Sequence, residues 1–350
     1  MERITNMKKA WLHLALIALL ACASTSALAL SYTATDITDL LGGGIPRDIN
    51  NAGQIVGSFY VSASYCSHVF LYTPGSGVTD LGTLGGTSSY AYCINDAGQI
   101  AGEAYTATGQ RHAFLYTPES GTIDLGALLG GTSFAQAINN VGQVVGYSDK
   151  IGTFLYTPGS GMTALPLNAN DINDAGQVVG MVFLTPPDGS SRACLYAPDT
   201  GKVYPFGHSL SDPDSMASAI NNAGEVVGWF HVAAENKDHM FLYTRHGGVT
   251  DLGNPAGTYI MPCGINEAGW IAGSSPGPSP FVYTPDSGII QLDPGGTAKA
   301  INDAGVVVGY SYLNGSFRAI LWTPIPEPSS LAALLAGLAG FGAVMRRRRR

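Results

Sequence analysis

The residues best suited to chemistry are histidines and carboxylates, and most of them recur. His68, His112 and His239 occupy one position of a repeated phrase, and Asp80, Asp124 and Asp251 occupy another. An imidazole beside a carboxylate can move protons or hold a metal. A group used in several repeats is, however, more simply a hydrogen-bond partner that stabilises each repeat. Asn50, Asn95, Asn139, Asn173, Asn221, Asn266 and Asn302 are read as turn residues on the same logic. Asp96, Asp174 and Asp303 lack the alternating oxygen ligands of a calcium loop.

Local function is expected where the chain does not repeat. Four connections stand out: 58–67, 181–191, 207–216 and 229–238. Two of them carry His208, Asp212, Asp214, His231, Glu235 and Asp238, a candidate metal site or acidic pocket whose simpler reading is solvated polar loop. Trp229 and Trp270 could stack on sugar rings, although burial between repeats is the stronger expectation. There is no Gly-Lys-Ser phosphate loop, Gly-x-Ser-x-Gly elbow or His-Glu-x-x-His pair. Nothing picks out two carboxylates for glycoside cleavage. No catalytic residue is assigned and no cofactor is expected.

The elements that must position these residues come from a nine-residue phrase that occurs seven times. It reads INNAGQIVG at 49–57, INDAGQIAG at 94–102, INNVGQVVG at 138–146 and INDAGQVVG at 172–180. It continues as INNAGEVVG at 220–228, INEAGWIAG at 265–273 and INDAGVVVG at 301–309. Successive copies start 34 to 48 residues apart, a period that belongs to propellers and solenoids. A second phrase follows each first one, clearest as HVFLYTPGSGVTDL at 68–81 and HAFLYTPESGTIDL at 112–125. Each unit reads as four strands. The first ends at Ile-Asn, and Asn-Asp-Ala-Gly turns the chain. Strands rich in β-branched and aromatic residues follow, divided by Pro-Gly-Ser-Gly. The Gly that ends Val-Val-Gly is expected to let neighbouring sheets approach closely.

The seventh unit stops after its third strand, RAILWT at 318–323. A matching strand stands at the other end of the chain, ATDITDLL at 34–41 followed by three glycines. An N-terminal strand that completes the last unit seals a ring and removes its edges. The expected fold is therefore all-β: one seven-bladed β-propeller of four-stranded blades over 30–325, closed by that strand. An open β-solenoid is the alternative.

Together the two phrases resemble the HAF-repeat family of extracellular proteins over nearly the whole body. Three units depart from its His-Ala-Phe triplet, at Thr153-Phe154, Arg192-Ala193-Cys194 and Pro280-Phe281. Those units are expected to be locally irregular. The resemblance bears on fold and location more than on chemistry.

The chain ends read as addresses. Basic Arg3, Lys8 and Lys9 precede an apolar run and Ala27-Leu28-Ala29, so 1–29 reads as a signal peptide cleaved after Ala29. Cys22 as an acylated lipoprotein residue is the alternative. Pro326, Glu327 and Pro328 precede an apolar stretch and then Arg346 to Arg350. The apolar stretch, 331–345, is read as a short transmembrane helix that the arginines stop from crossing. This order resembles the PEP-CTERM sorting tail of Gram-negative bacteria, with a plain membrane anchor as the alternative. The resemblance implies processing by an exosortase after signal peptidase, and a surface or extracellular destination, with exopolysaccharide as the associated partner class.

Removing 1–29 and 326–350 takes Lys plus Arg from 17 to 9 and Asp plus Glu from 25 to 23, a body of net charge −14. That argues against nucleic acid and against an anionic membrane surface. The membrane is touched only through the tail. An exported chain can form disulfides, and Cys66, Cys93, Cys194 and Cys263 allow three pairings that the sequence does not decide. The expected function is a non-enzymatic interaction or structural module. The alternative is a glycan-active or metal-dependent enzyme working from the variable loops.

Overall fold

The computed structural model describes residues 30–61, 66–183, 190–206, 214–254, 257, 259–275, 279–313 and 315–325. Among them there is no helix, and residues 32–324 form one compact unit. The signal peptide with Ala29, the Pro326-Glu327-Pro328 motif and the 331–345 helix lie outside the described residues.

Seven four-stranded antiparallel sheets stand around an axis. Blades 1 to 6 span 45–82, 85–126, 133–164, 168–205, 215–253 and 261–291, and each follows the chain from its inner strand outwards. Blade 7 takes three strands from 297–325 and its outer strand, Ser31–Asp36, from the start of the chain. The protein is a seven-bladed β-propeller closed by an N-terminal strand.

The repeat phrase explains each blade. The Asn that ends the inner strand folds its side chain over the turn: Asn50 Oδ1 accepts from Gln54 N at 2.9 Å, and Asn50 N donates to Gln54 O at 3.1 Å. The turn needs a left-handed residue, supplied by Gly53 at φ +73°. The second strand then pairs back along the first. At the centre of the third strand sits a fully buried ring, Phe70 in blade 1, with Phe114, Phe154, Phe241 and Phe281 equivalent to it.

A blade cannot bury both faces alone, and each apolar cluster joins two consecutive blades. Val56 and Val69 of blade 1 pack with Ile94, Ile100 and Phe114 of blade 2. The seventh such interface sets Ile49, Ile55 and Phe70 of blade 1 against Ala300, Val308 and Ala319 of blade 7. This cluster also takes in Ile37 and Leu41, so packing and strand pairing close the ring at the same place.

Two expectations are corrected, and a third takes a specific form. The closing strand is Ser31–Asp36, and 38–43 is turn. Ile37 N donates to Ala319 O at 2.9 Å, as Leu165 N does to Thr153 O in blade 3. The matching Thr-Asp is therefore Thr35-Asp36 and not Thr38-Asp39, which the doubled Thr-Asp of the sequence left ambiguous. Second, the Gly ending Val-Val-Gly makes its close approach within its own blade. A Cβ on Gly57 would fall on the carbonyl oxygen of Ile45 and 2.9 Å from the Phe70 ring. Third, the blades lacking the His-Ala-Phe triplet keep all four strands. Their irregularity is a shortened outer strand, four residues in Gly161–Ala164, Lys202–Pro205 and Gly288–Gln291 against six in Gly77–Gly82.

Candidate functional site

Every inner strand carries a β-bulge at the same place, three residues before the Asn. The bulge lets two residues oppose one, which takes the extra residue out of the ladder. The glycine opposite is what makes room, because a side chain there would strike the inner-strand carbonyl. The seven bulged residues are Arg47, Tyr92, Gln136, Asn170, Ser218, Cys263 and Lys299. They are all different, whereas the residue before each is Ala or Pro.

These bulges divide the axis into two openings. The opening among the Asn turns is a polar cavity of about 220 Å³. Two closed rings of hydrogen bonds surround it. In the inner ring each buried Asn reaches the next blade: Asn50 Nδ2 donates to Asn95 O at 3.0 Å, Asn95 to Asn139 O at 2.9 Å, and so on until Asn302 donates to Asn50 O at 3.2 Å. The ring runs through Asn139, Asn173, Asn221 and Asn266 without a gap. In the outer ring the following residue accepts a backbone N–H from the preceding blade. Asn51 N donates to Asp96 Oδ1 at 2.9 Å, Asn140 N to Asp174 Oδ1 at 2.7 Å and Glu267 N to Asp303 Oδ1 at 3.0 Å. Asp96, Asp174 and Asp303 are thus each bound to a neighbouring blade.

Beneath these rings lie two carboxylates. Asp48 accepts from Ile49 N and from Ile94 N of the next blade, both at 2.8 Å. Asp171 does the same with Ile172 N at 2.8 Å and Ile220 N at 2.9 Å. Burial pushes Asp48 up to about 7 and Asp171 up to about 6, against the lowering effect of those donors.

The opposite opening is wider. A cavity of about 830 Å³ is lined by Gln136, Asn170 and Ser218 from the bulges, by Met216, Trp229, Tyr259 and Met261, and by Asp238, whose carboxylate meets His231. Gln136 Nε2 donates to Asn170 Oδ1 at 3.2 Å, and Asn170 Nδ2 donates to Ala217 O at 2.7 Å. The bulged residues of blades 1 and 7, which are outside that lining, are the cations Arg47 and Lys299. Arg47 lies over the Tyr92 ring at 5.8 Å and Lys299 over Tyr310 at 5.3 Å.

The candidate residues from the sequence are placed as follows. His68 Nδ1 meets Asp80 at 2.9 Å, His112 meets Asp124 at 2.9 Å and His239 meets Asp251 at 3.0 Å. Each aspartate also accepts from a glycine N–H two residues on. Each pair ties a third strand to its outer strand. For His239, burial opposes protonation, but Asp251 and Glu235 outweigh it and raise its pKa. Of the metal candidates, His208 and Asp212 lie outside the described residues. His231 Nδ1 meets Asp238 at 2.8 Å, while Asp214 Oδ1 accepts from Ser191 N at 2.9 Å. Among the described residues no three such groups converge to hold a metal. Trp270 packs between blades 6 and 7, and Trp229 lines the wide opening. Cys93, Cys194 and Cys263 form no disulfide among the described residues, and burial pushes Cys194 and Cys263 up to about 12.

Sequence reasoning missed the bulged residues. Their signal was available, as the one position before the Asn whose identity changes in every repeat. It did not mark itself, because only the bulge removes that residue from the alternating pattern of the strand.

Solved structures share this propeller architecture. The β-propeller domain of the Trilobed protease from Pyrococcus furiosus aligns with TM-score 0.58 at 11% identity, covering 80% of this chain and 93% of that one. That domain is described as having an open velcro topology, whereas here the first strand completes the last blade. The WD40 repeats of RRP9 align with TM-score 0.52 at 9% identity, covering 81% and 95%. TolB from Acinetobacter baumannii gives TM-score 0.48 at 9% identity, and the chain spans 66% of its length. At these identities the likeness is one of fold alone. No protein-family model and no curated protein matches the chain.

Proposed function

We propose that this chain is an exported, non-enzymatic interaction module that works at the cell surface or in the extracellular matrix, in association with exopolysaccharide. Signal peptidase would cut after Ala29, and an exosortase would act at Pro326-Glu327-Pro328. The resemblances to HAF repeats and to PEP-CTERM tails support the address. One structural observation supports the role. The repeated His, Asp and Asn side chains are spent on holding blades together, while the unlike side chains gather at one axial opening suited to recognition. Recognition needs such a surface and no reacting group.

The test is expression of the full chain in a Gram-negative host that carries an exosortase. The expected product is extracellular or surface-bound, lacks 1–29 and the tail by mass, and co-sediments with exopolysaccharide without releasing new reducing ends. Retention in the cytoplasm would overturn the address. Release of reducing ends would replace the module with a glycan-active enzyme.

A further inference from the structure

We propose, resting on the glycan-associated reading above, that the wide axial opening is the ligand site and that it takes the carboxylate-bearing end of an acidic saccharide.

The bulges create the site. A residue outside the ladder is free of the strand's alternation, so blades can carry different groups at one height around the axis, although Cys263 is turned into the core of blades 6 and 7. Blades 7 and 1, which are neighbours, present the two cations Lys299 and Arg47. The body carries 23 acidic and only 9 basic residues. Even so, neither cation has a carboxylate partner among the described residues. Each rests on a tyrosine face instead, which leaves its hydrogen-bond donors available. Two cations on neighbouring blades suit an anion, and an arginine fork suits a carboxylate.

The other side of the opening limits what carries that carboxylate. Tyr259 and Met261 are 58% and 57% exposed, and Trp229 lines the same cavity. The amides of Gln136 and Asn170 lie at the same level. A sugar ring has an apolar C–H face, hydroxyls around its edge and, in a uronic acid, one carboxylate at its rim. Aromatic surface and amides line the cavity, and the cations hold the equivalent bulge positions of blades 7 and 1. A nucleic acid, with its dense phosphates, would be repelled by a body of charge −14 that offers it two cations. An acidic peptide would use the cations but has no rigid apolar ring face for Trp229 and Tyr259.

The proposal is tested by titrating the purified full chain with oligogalacturonate, its neutral methyl ester, and oligoglutamate. Oligogalacturonate is expected to bind, and added salt to weaken it. Arg47→Gln combined with Lys299→Gln should weaken binding about tenfold or more, which is the loss of one charge-assisted contact. Tyr259→Ala, at an exposed side chain, should weaken it similarly without affecting the fold. Lys150→Gln with Lys202→Gln should leave it unchanged. If the ester binds as well as the acid, or the cation variants bind normally, this site is wrong while the glycan-associated reading stands. If oligoglutamate binds more tightly, the ligand is a peptide and the saccharide class is overturned. If the full chain captures neither saccharide, this proposal fails, whereas the reading of the chain fails only if it also leaves exopolysaccharide unbound.

Discussion

Arg318 Nη1 lies 3.7 Å from Asp36 Oδ2 across the two strands that join the ends of the chain. The pair occupies the positions that His68 and Asp80 hold in blade 1. Blade 7 thus rebuilds a repeat contact from residues 282 positions apart, with Arg in place of His. Asp36 is held below the usual carboxylate range by the Thr38 hydroxyl and N–H first, with Arg318 a smaller contributor.

The closure should depend on burial more than on this ion pair. Ile37 is 4% exposed between blades 7 and 1, so Ile37→Ala is expected to cost about 2–5 kcal/mol. Asp36 is exposed, and Asp36→Ala should cost under about 1 kcal/mol and less in high salt. Urea unfolding of the two variants checks the ranking. Equal losses would mean that the charges, and not the packing, hold the ring shut.

The bulge glycines should be nearly irreplaceable. Gly146→Ala would press a methyl onto the carbonyl oxygen of Phe134 and 2.6 Å from the Phe154 ring, so about 3 kcal/mol is expected. A Cβ at Gly109 meets nothing within 4 Å, and its φ of +80° carries only conformational strain. Gly109→Ala should therefore cost about 1 kcal/mol. Thermal melts of both variants decide this.

The two rings around the narrow opening should differ in weight. Asn139 is buried and makes three bonds, to Asn173 O, Gln143 Oε1 and Gln143 N. Asn139→Ala leaves a backbone carbonyl and an N–H unpaired, which should cost roughly 2–4 kcal/mol. Asn140→Ala, in the exposed outer ring, should cost under about 1 kcal/mol. Denaturant midpoints compare them.

Asp48 should make stability fall as pH rises. Its folded pKa is raised to about 7, above the ordinary carboxylate value. Between about pH 4 and 7 the folded state therefore holds a proton that the unfolded state has lost. This contribution is full below the unfolded value and is lost as pH rises through 7, at no more than about 1.4 kcal/mol per pH unit. Asp48→Asn should remove the part of the slope between about pH 6 and 7 and reduce the rest, leaving what Asp171, raised to about 6, contributes. Unfolding free energies of both proteins across pH 4–8 measure it, and parallel curves would refute the assignment.

The sequence by itself determined the blades. Seven copies of Ile-Asn-x-x-Gly, followed by strands and a Pro-Gly turn, specify local hairpins, and local hairpins are legible because turn chemistry acts within a few residues. The missing fourth strand of the last unit even announced the closure. Its register was not legible, since Thr35-Asp36 and Thr38-Asp39 fit the repeat equally, and only the pairing of Ile37 with Ala319 chose between them. The rings of Asn50 and Asn51 were legible only as turns, because their partners sit in the next blade, 45 residues away. The wide opening was invisible for the same reason. Arg47, Tyr92 and Lys299 are single residues in separate repeats, and only a closed ring, with a bulge at one height in every blade, turns them towards a common axis.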